Sequence, residues 1–450
     1  MKEINRKEFL KYSSIAILSL GFGKSIYPKN TKEKVAIIGA GAAGLYAGYL
    51  LHKRGIDVEI FEASSIIGGR ARPLLKFSDF PVELGAEEVH GEKSKYYKYL
   101  KRMGIALIDS DFENYYVIDD KLTEESVAEL YSKFSKSQRL IQKISSYKGG
   151  DGTALDYFRN NGIPNSHIHI PEALVGNEYG TDLKNLSILG VAKNMSGWSA
   201  GDENFLIRSR SHLSVLEEIC ERVLKFTRKK TQITNIDYSG SIIKLTDQDG
   251  NEFKATRVIV TVPITILKDG DIKFSPSLPG EISSAFSKIG MGAGIKVILK
   301  FIRRFWEPNT GSIVSNGVIP EYWASGYRKS SMNNVLTGFV NGENAKSLSE
   351  SNSNIVSLAL KDLDKMFGNK IATKWLTDSY IMDWSKDPFI RGSYSYPTVG
   401  EGDAREELAK PVKERLFFAG EATNTEQHFG TIHGAMDSAI RVVDQIFDIL

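Results

Sequence analysis

The feature that most constrains this chain is a glycine-rich turn between a short apolar strand and a helix. The turn reads Gly39-Ala40-Gly41-Ala42-Ala43-Gly44, and the apolar run 35–38 comes directly before it. A helical pattern with leucines follows, and a second apolar run, 58–61, ends at Glu62. An apolar run bounded by turn residues is typical of a buried strand, so these features predict a strand–helix–strand unit.

This unit has the pattern of a dinucleotide site. Its glycines, Gly39, Gly41 and Gly44, allow a tight turn, and the helix that begins at about Ala43 directs its free amides at a pyrophosphate. Glu62 ends the second strand, where a carboxylate accepts hydrogen bonds from ribose hydroxyls. At this point NAD and FAD satisfy the pattern equally well.

Composition excludes several other classes of protein. The 450 residues suggest two or three units at about 150 residues each. The net charge is only +3, from 58 basic and 55 acidic residues, which argues against nucleic acid as a partner. The chain has one cysteine, Cys220, so it forms no internal disulfide and no cysteine metal cage. We predict no metal site, since His167 and His169 lack the spacing of a known metal motif.

The N-terminal segment, residues 1–30, has the layout of an export signal. Basic residues precede a short apolar run at 15–22, which is too short to span a bilayer. The string Asn5-Arg6-Lys7-Glu8-Phe9-Leu10-Lys11 resembles a twin-arginine signal with lysine in place of the second arginine. We therefore predict an exported, periplasmic protein without a membrane span. The alternative is an amphipathic N-terminus on a cytoplasmic protein.

The rest of the chain predicts two interleaved units of α/β (α+β) class. Strand and helix patterns assign residues 31–95, 206–290 and 390–450 to a Rossmann-type dinucleotide-binding domain. Residues 96–205 and 291–389 form a split substrate-binding domain of mixed sheet plus helices. Its first part, from about 92 to 198, is expected to be helical, with Thr123 as the N-cap of a helix that runs to Lys148.

A second glycine motif favours FAD over NAD. In Gly68-Gly69-Arg70, the two glycines let the backbone approach a cofactor closely, and Arg70 supplies a bidentate phosphate donor. The whole pattern from Gly39 to Arg70 resembles the FAD-binding signature of the flavin-containing amine oxidases. Four later segments resemble the same family in order and spacing: 83–91, 288–306, 384–396 and 415–434. They resemble polyamine oxidases and lysine demethylases more than monoamine oxidases.

The resemblance implies a role for residues along the cofactor. Ala86 and Glu87 lie in the segment that passes the flavin ring, and Glu421 matches a carboxylate that accepts from the ribityl chain. Thr431 and Ile432 match a helix start whose amide faces the flavin N1 and O2 edge, and Ile233 matches a strand position beside adenine. Ser393 occupies the position at which monoamine oxidases carry a flavin-bonded cysteine, so the FAD should be non-covalent.

Other residues match positions at the amine. Lys296 corresponds to the family lysine that holds a water against flavin N5, and its charge would assist oxygen reduction. Tyr394 matches an aromatic wall beside the flavin; the position of the second wall is Thr431. His90 matches a histidine that lines the amine site. Glu87 and Glu88 would attract a cationic substrate.

The implied reaction is hydride transfer from the carbon beside an amine to flavin N5. Hydrolysis of the imine then gives an aldehyde, and oxygen is reduced to hydrogen peroxide, so the expected small-molecule partners are an amine and O2. Three alternatives remain: an oxidase or desaturase of the same fold acting on amino acids, carotenoids or porphyrinogens, a flavoprotein without enzymatic activity, and a chromatin demethylase. The sequence identifies neither the amine nor the oligomeric state.

Overall fold

The structure is a computed structural model that describes residues 33–351 and 354–450. The predicted export segment lies outside the described residues. Among the helices that are described, none combines the length and the apolar character that crossing a membrane requires.

A five-stranded parallel sheet forms the first layer of the molecule. Its spatial order is Thr227–Arg228, Asp57–Phe61, Lys34–Ile38, Arg257–Val260 and Leu416–Phe418. Every neighbouring pair in it is parallel. The strands therefore come from widely separated stretches of chain, and their carboxyl ends meet at one edge, where open α/β sheets bind ligands.

Both faces of this sheet are covered. On one face Val35 and Ile37 pack in a core with the helices Ala42–Lys53 and Ile432–Phe447. On the other face Ala36 and Ile38 pack against a second, four-stranded sheet. The order of that sheet is Glu252–Ala255, Ile243–Asp247, Ile233–Asp237 and Lys273–Ser275. Alternate residues of a central strand thus serve two cores, which confirms the predicted Rossmann-type, mixed α/β fold.

A seven-stranded mixed sheet forms the other half of the molecule. In spatial order its strands are Leu376–Asp383, Gly294–Phe301, Val335–Asn341, Glu321–Ala324, Thr310–Val314, Glu113–Ile118 and Lys121–Glu124. The strand Gly294–Phe301 lies inside this sheet and is paired on both sides. It carries Lys296 into the interior of the molecule.

The helical prediction for the region from 92 to 198 is partly wrong. Glu113–Ile118 and Lys121–Glu124 form a hairpin, so Thr123 lies in a strand and caps no helix. Asp119 and Asp120 both have positive φ, 46° and 62°, which is the backbone of a tight hairpin turn. The expected long helix is two shorter ones, Glu125–Ala128 and Ser132–Lys143.

Smaller elements connect the two halves. A three-stranded sheet has the order Glu88–His90, Asn204–Ile207 and Leu107–Asp109. Two-stranded pairs join Ile289–Met291 to Ser395–Pro397 and Pro73–Leu74 to Val82–Glu83. The other helices of eight residues or more are Lys95–Arg102, Ile188–Gly197, His212–Ile219, Gly280–Lys288, Gly342–Glu350 and Ile355–Phe367. Shorter helices are Ala154–Asn160, Glu221–Leu224, Ile264–Lys268, Ile371–Trp375 and Ala404–Leu408.

Candidate active site

A cavity of about 690 Å³ extends from the carboxyl edge of the parallel sheet to the seven-stranded sheet. Its volume is within the range of small-molecule and cofactor sites. Of the predicted site residues, all but Gly44 line it. Residues that are far apart in the sequence thus meet in one site.

Gly44 lies behind the cavity wall, where it has a packing role. A Cβ atom built on it would lie 2.0 Å from the carbonyl oxygen of Gly39, so only glycine lets the helix Ala42–Lys53 approach the first strand this closely. Gly39 itself has a φ of +103°, a conformation that side chains disfavour. Gly41 faces open space, since no described atom lies within 4 Å of the position that a Cβ would take there.

The glycine turn leaves a helix end free for an anion. Gly41 is the N-cap of the helix Ala42–Lys53, and no described side chain caps it. Gly41, Ala42 and Ala43 all line the cavity. The free amides and the positive end of the helix dipole therefore face a site that suits a pyrophosphate.

Glu62 is fixed by the backbone at the end of the second strand. Its Oε2 accepts the N–H of Ala40 at 2.7 Å and its Oε1 accepts that of Ser64 at 2.8 Å. Burial raises the pKa of this carboxyl above its usual value, although the two amides act in the opposite direction. A carboxylate oxygen accepts two hydrogen bonds, so each retains one acceptor site for a ribose hydroxyl.

Glu421 binds protein groups with both oxygens, and its contact with a ribityl chain stays a prediction. It accepts four hydrogen bonds: from Arg70 Nη1, from the N–H and hydroxyl of Ser395, and from the N–H of Gly430. Four is the capacity of a carboxylate. Burial alone would raise the pKa of Glu421, but Arg70 and the Ser395 hydroxyl hold it below its usual value. Glu421 therefore anchors Arg70, which also donates to the Ser393 oxygen at 2.8 Å.

A second helix end faces the cavity at Thr431. This residue caps the helix Ile432–Phe447, and its hydroxyl accepts the Gly434 N–H at 2.9 Å. Thr431 and Ile432 line the cavity, as does Ile233 at the start of its strand. The positive end of a helix dipole here would stabilise negative charge on a bound ring.

Lys296 is buried and paired, and does not point to solvent. Its Nζ donates to the backbone oxygen of Glu83 at 3.1 Å and to Glu87 Oε2 at 2.8 Å. The same atom lies 4.8 Å from the ring centroid of Trp323. The sequence predicts that Glu87 attracts substrate, but in the structure its partner is this lysine.

The far end of the cavity is acidic, a feature that the sequence predicts only through Glu88. Glu178 and Glu321 also line it. Glu178 directly follows the π-helical turn Glu172–Asn177, and Glu321 begins a strand of the seven-stranded sheet. Burial, reinforced by the neighbouring carboxylates, raises the pKa of Glu321 to about 7 and that of Glu178 well above its usual value. No local pattern marks either residue, because distant chain segments bring the three together. A π-helical turn is itself a frequent sign of a functional site.

Aromatic side chains surround this acidic end. Tyr394 packs so closely on Gly180 that a Cβ there would lie 2.8 Å from its ring. His90 Nδ1 lies 3.1 Å from Asn204 Oδ1, and its ring meets Trp198 edge-on. Further aromatic residues line the cavity: Phe112, Tyr116, Tyr179, Trp323 and Phe339.

These groups fit FAD. The uncapped helix N-terminus at Gly41 and the glycine turn suit the pyrophosphate. Glu62 suits the ribose, and the helix N-terminus at Thr431 suits the flavin ring. Ser393 is 5% exposed and offers no thiol, while Cys220 lies in the core of the parallel sheet. The site therefore has no cysteine that could form a thioether bond to the flavin.

Away from the cavity, Glu426, His428 and Asp437 place ligand-type atoms within 4.8 Å of one another. They already have protein partners. His428 lies 3.1 Å from both Ser199 Oγ and Asp437 Oδ2, and the Lys95 ammonium lies 3.1 Å from Asp437 Oδ1.

The family model described as "Flavin containing amine oxidoreductase" matches residues 213–447, more than half of the chain. This chain belongs to that family. A model for NAD(P)-binding Rossmann-like domains also matches this chain, over residues 37–103. FAD is accordingly its cofactor.

Several curated proteins resemble this chain. Mouse (Mus musculus) lysine-specific histone demethylase 1B is 28% identical over 96% of this chain and 55% of its own length. Polyamine oxidase 4 of Oryza sativa subsp. japonica is 26% identical over 91% of this chain and 88% of its own length. The chain thus spans about half the length of the demethylases that it matches.

Solved structures agree with the fold. A triple mutant of putrescine oxidase superposes with a TM-score of 0.79 over 93% of this chain and 99% of its own, at 19% identity. At that identity the likeness shows the fold alone.

Proposed function

We propose that this protein oxidises an amine that carries a second, cationic nitrogen, such as a diamine or polyamine. The observation that carries the proposal is the cluster of Glu88, Glu178 and Glu321 at the end of the cavity beyond Lys296. A protonated amine compensates buried carboxylates that otherwise repel one another. The names of the polyamine oxidase and putrescine oxidase relatives support the same substrate class.

Bound FAD supplies the oxidising chemistry, by accepting a hydride from the carbon beside the reacting nitrogen. The protein binds and orients the substrate. The carboxylates hold the distal ammonium, and the wall formed by Tyr394 limits the position of the reacting end. Lys296 would assist the passage of electrons to oxygen from a flavin bound beside it. The overall reaction converts amine, O2 and water to aldehyde, the released amine or ammonia, and hydrogen peroxide.

The acidic cluster disfavours the other substrates of this fold. An amino acid would bring its own carboxylate to three glutamates, and a carotenoid would leave them without a polar partner. The decisive experiment is anaerobic reduction of the bound flavin by a panel of monoamines, diamines, polyamines and amino acids. Flavin bleaching that is fastest with diamines or polyamines supports the proposal, and equal rates with matched monoamines contradict it.

A pair of variants links that result to the cluster. Glu178→Gln should raise the concentration of diamine needed for half-maximal bleaching and leave that of a monoamine nearly unchanged. Glu92→Gln is a matched control, because Glu92 does not line the cavity. If Glu178→Gln affects mono- and diamines alike, the cluster does not bind the second nitrogen.

A further inference from the structure

The pair between Glu87 and Lys296 is the least exposed ion pair at the cavity in the described part of the chain. The side chains of Lys296 and Glu87 are 4% and 8% exposed, and the Nζ–Oε2 distance is 2.8 Å. Burial would raise the pKa of Glu87, but Lys296 and Lys329 hold it below its usual value. Glu87 therefore remains ionised, and a full negative charge lies against the lysine.

The place of this pair in the cavity makes its charge important. Every residue of the segment 84–88 lines the cavity. At its cofactor side the Ala86 N–H donates to the backbone oxygen of Arg70 at 3.1 Å, and at its other side Glu88 belongs to the acidic end. The pair thus lies between the dinucleotide end and the substrate end. A dinucleotide held at Gly41 and Glu62 would have its flavin end on this side of the cavity.

Other charged groups do not replace the pair. Glu83 faces Lys296 with its backbone oxygen, while its carboxylate accepts the His212 N–H at 2.7 Å. Burial raises the pKa of Glu83 to about 7 and lowers that of Lys329, so each carries less charge than an exposed group would. Among the described residues, Glu87 alone accepts a hydrogen bond from Lys296 with its carboxylate. Its second oxygen, Oε1, is buried and has no hydrogen bond of ordinary length and angle among the described residues, although the nearby Trp323 side chain also lowers the pKa of Glu87.

We propose that Glu87 is a positioning residue that fixes the Lys296 ammonium beside the flavin and offsets its positive charge. Two of the three N–H groups of Lys296 are taken by Glu83 and Glu87, so the third has a defined direction. The counter-charge keeps the pair close to neutral, and the flavin is reduced less readily than it would be beside a lone ammonium. This inference rests on the proposed flavin chemistry.

The experiment measures the midpoint potential of the protein-bound FAD by dye-referenced reductive titration, which needs no amine substrate. Glu87→Gln keeps the shape of the side chain and an oxygen for Lys296, and should shift the potential to a more positive value. Lys296→Met should shift it to a more negative value. The double variant should return close to the wild-type potential, because it removes both charges together.

Glu88→Gln is the matched control, since it neutralises the neighbouring carboxylate, which has no hydrogen bond to Lys296 among the described residues. Its shift should be smaller than that of Glu87→Gln. The proposal is wrong if Glu87→Gln leaves the potential unchanged or lowers it, or if the double variant resembles either single one. A failure of every amine to bleach the flavin would refute the proposed substrate class alone, because the potentials do not depend on it.

If Glu87→Gln alone does not fold, the comparison of Lys296→Met with the double variant still decides the question. The potential of the double variant should then be the more positive of the two. Glu87→Asp should restore a potential between those of Glu87→Gln and the wild type, since it returns the charge at a greater distance.

Discussion

Tyr394 donates its hydroxyl proton to the backbone oxygen of Glu178, at an O–O distance of 2.5 Å. The aromatic wall and the acidic cluster are therefore linked by one hydrogen bond. Tyr394 follows Ser393, whose backbone oxygen binds Arg70. These contacts connect Glu178 at the substrate end of the cavity to Arg70 at the cofactor end through two adjacent residues.

Lys296→Met should slow reoxidation of the reduced flavin. A preorganised charge of this kind is typically worth about 10²–10³ in rate. The lysine contacts Glu83, Glu87 and Trp323 and not the residues that would hold the pyrophosphate and ribose, so FAD should remain bound. Stopped-flow traces of the two half-reactions would measure this, with reduction by the amine less affected than oxidation by O2. Wild-type rates in both would show that Lys296 does not act on the flavin.

Glu62→Ala should weaken FAD binding, since loss of a hydrogen bond to a charged group costs about 1.5–3 kcal/mol. The variant also leaves the Ala40 and Ser64 amides without the carboxylate that accepts from them. Glu59→Ala is the matched control, because Glu59 is on the same strand but pairs with Lys34 and Arg228. FAD fluorescence titrations that give the same affinity for both variants would place the ribose elsewhere.

The two glycine variants Gly44→Ala and Gly41→Ala should fail in different ways. Gly44→Ala forces a methyl group against the Gly39 oxygen, and overpacking of this kind costs about 1–3 kcal/mol of stability. Gly41→Ala meets no described protein atom and should fold normally, but its methyl group occupies the cavity and should weaken FAD binding. Thermal unfolding without FAD separates the two: equal melting temperatures for both variants would contradict this assignment.

Burial and the neighbouring Glu88 raise the pKa of Glu321 to about 7. Diamine binding should therefore weaken as the pH falls through about 7. Below that pH the carboxyl is protonated and no longer attracts an ammonium. KM for a diamine should therefore rise more steeply on acidification than KM for a monoamine of the same length. In Glu321→Gln that extra rise should disappear. If it persists unchanged, another group titrates.

Deletion of residues 1–30 should leave a folded protein that binds FAD and remains in the cytoplasm, as expected for removal of an export signal. The first described strand begins at Lys34, and Glu33 next to it pairs with Arg257. Cell fractionation and the flavin spectrum would test both parts. Loss of FAD binding would show that the segment belongs to the fold.

The glycine turn and the first two strands can be predicted because their signals are local. A tight turn needs glycine at fixed spacing, and an apolar run predicts a buried strand. The hairpin at Asp119 and Asp120 escapes prediction because two aspartates resemble an exposed loop, although aspartate tolerates positive φ in such turns. The sequence after this hairpin is rich in lysine and glutamate, which favours the prediction of a single long helix.

The acidic cluster and the partner of Lys296 depend on tertiary contacts. Glu178 and Glu321 are far apart in the chain, and each resembles an ordinary surface residue. Glu421 shows the reverse case. Its position can be recognised from its segment, but its four donors come from three separate parts of the chain, and no pattern in a single sequence predicts such a set.

The parallel sheet has a consequence for how the protein is made. Its last strand, Leu416–Phe418, and the helix Ile432–Phe447 begin more than 370 residues after the turn at Gly41. During synthesis the turn at Gly41 therefore leaves the ribosome well before Glu421 and Thr431 do. Pairings between distant strands also form slowly. A nascent chain therefore displays the phosphate-binding turn long before the flavin end exists, so tight cofactor capture requires the late segments as well.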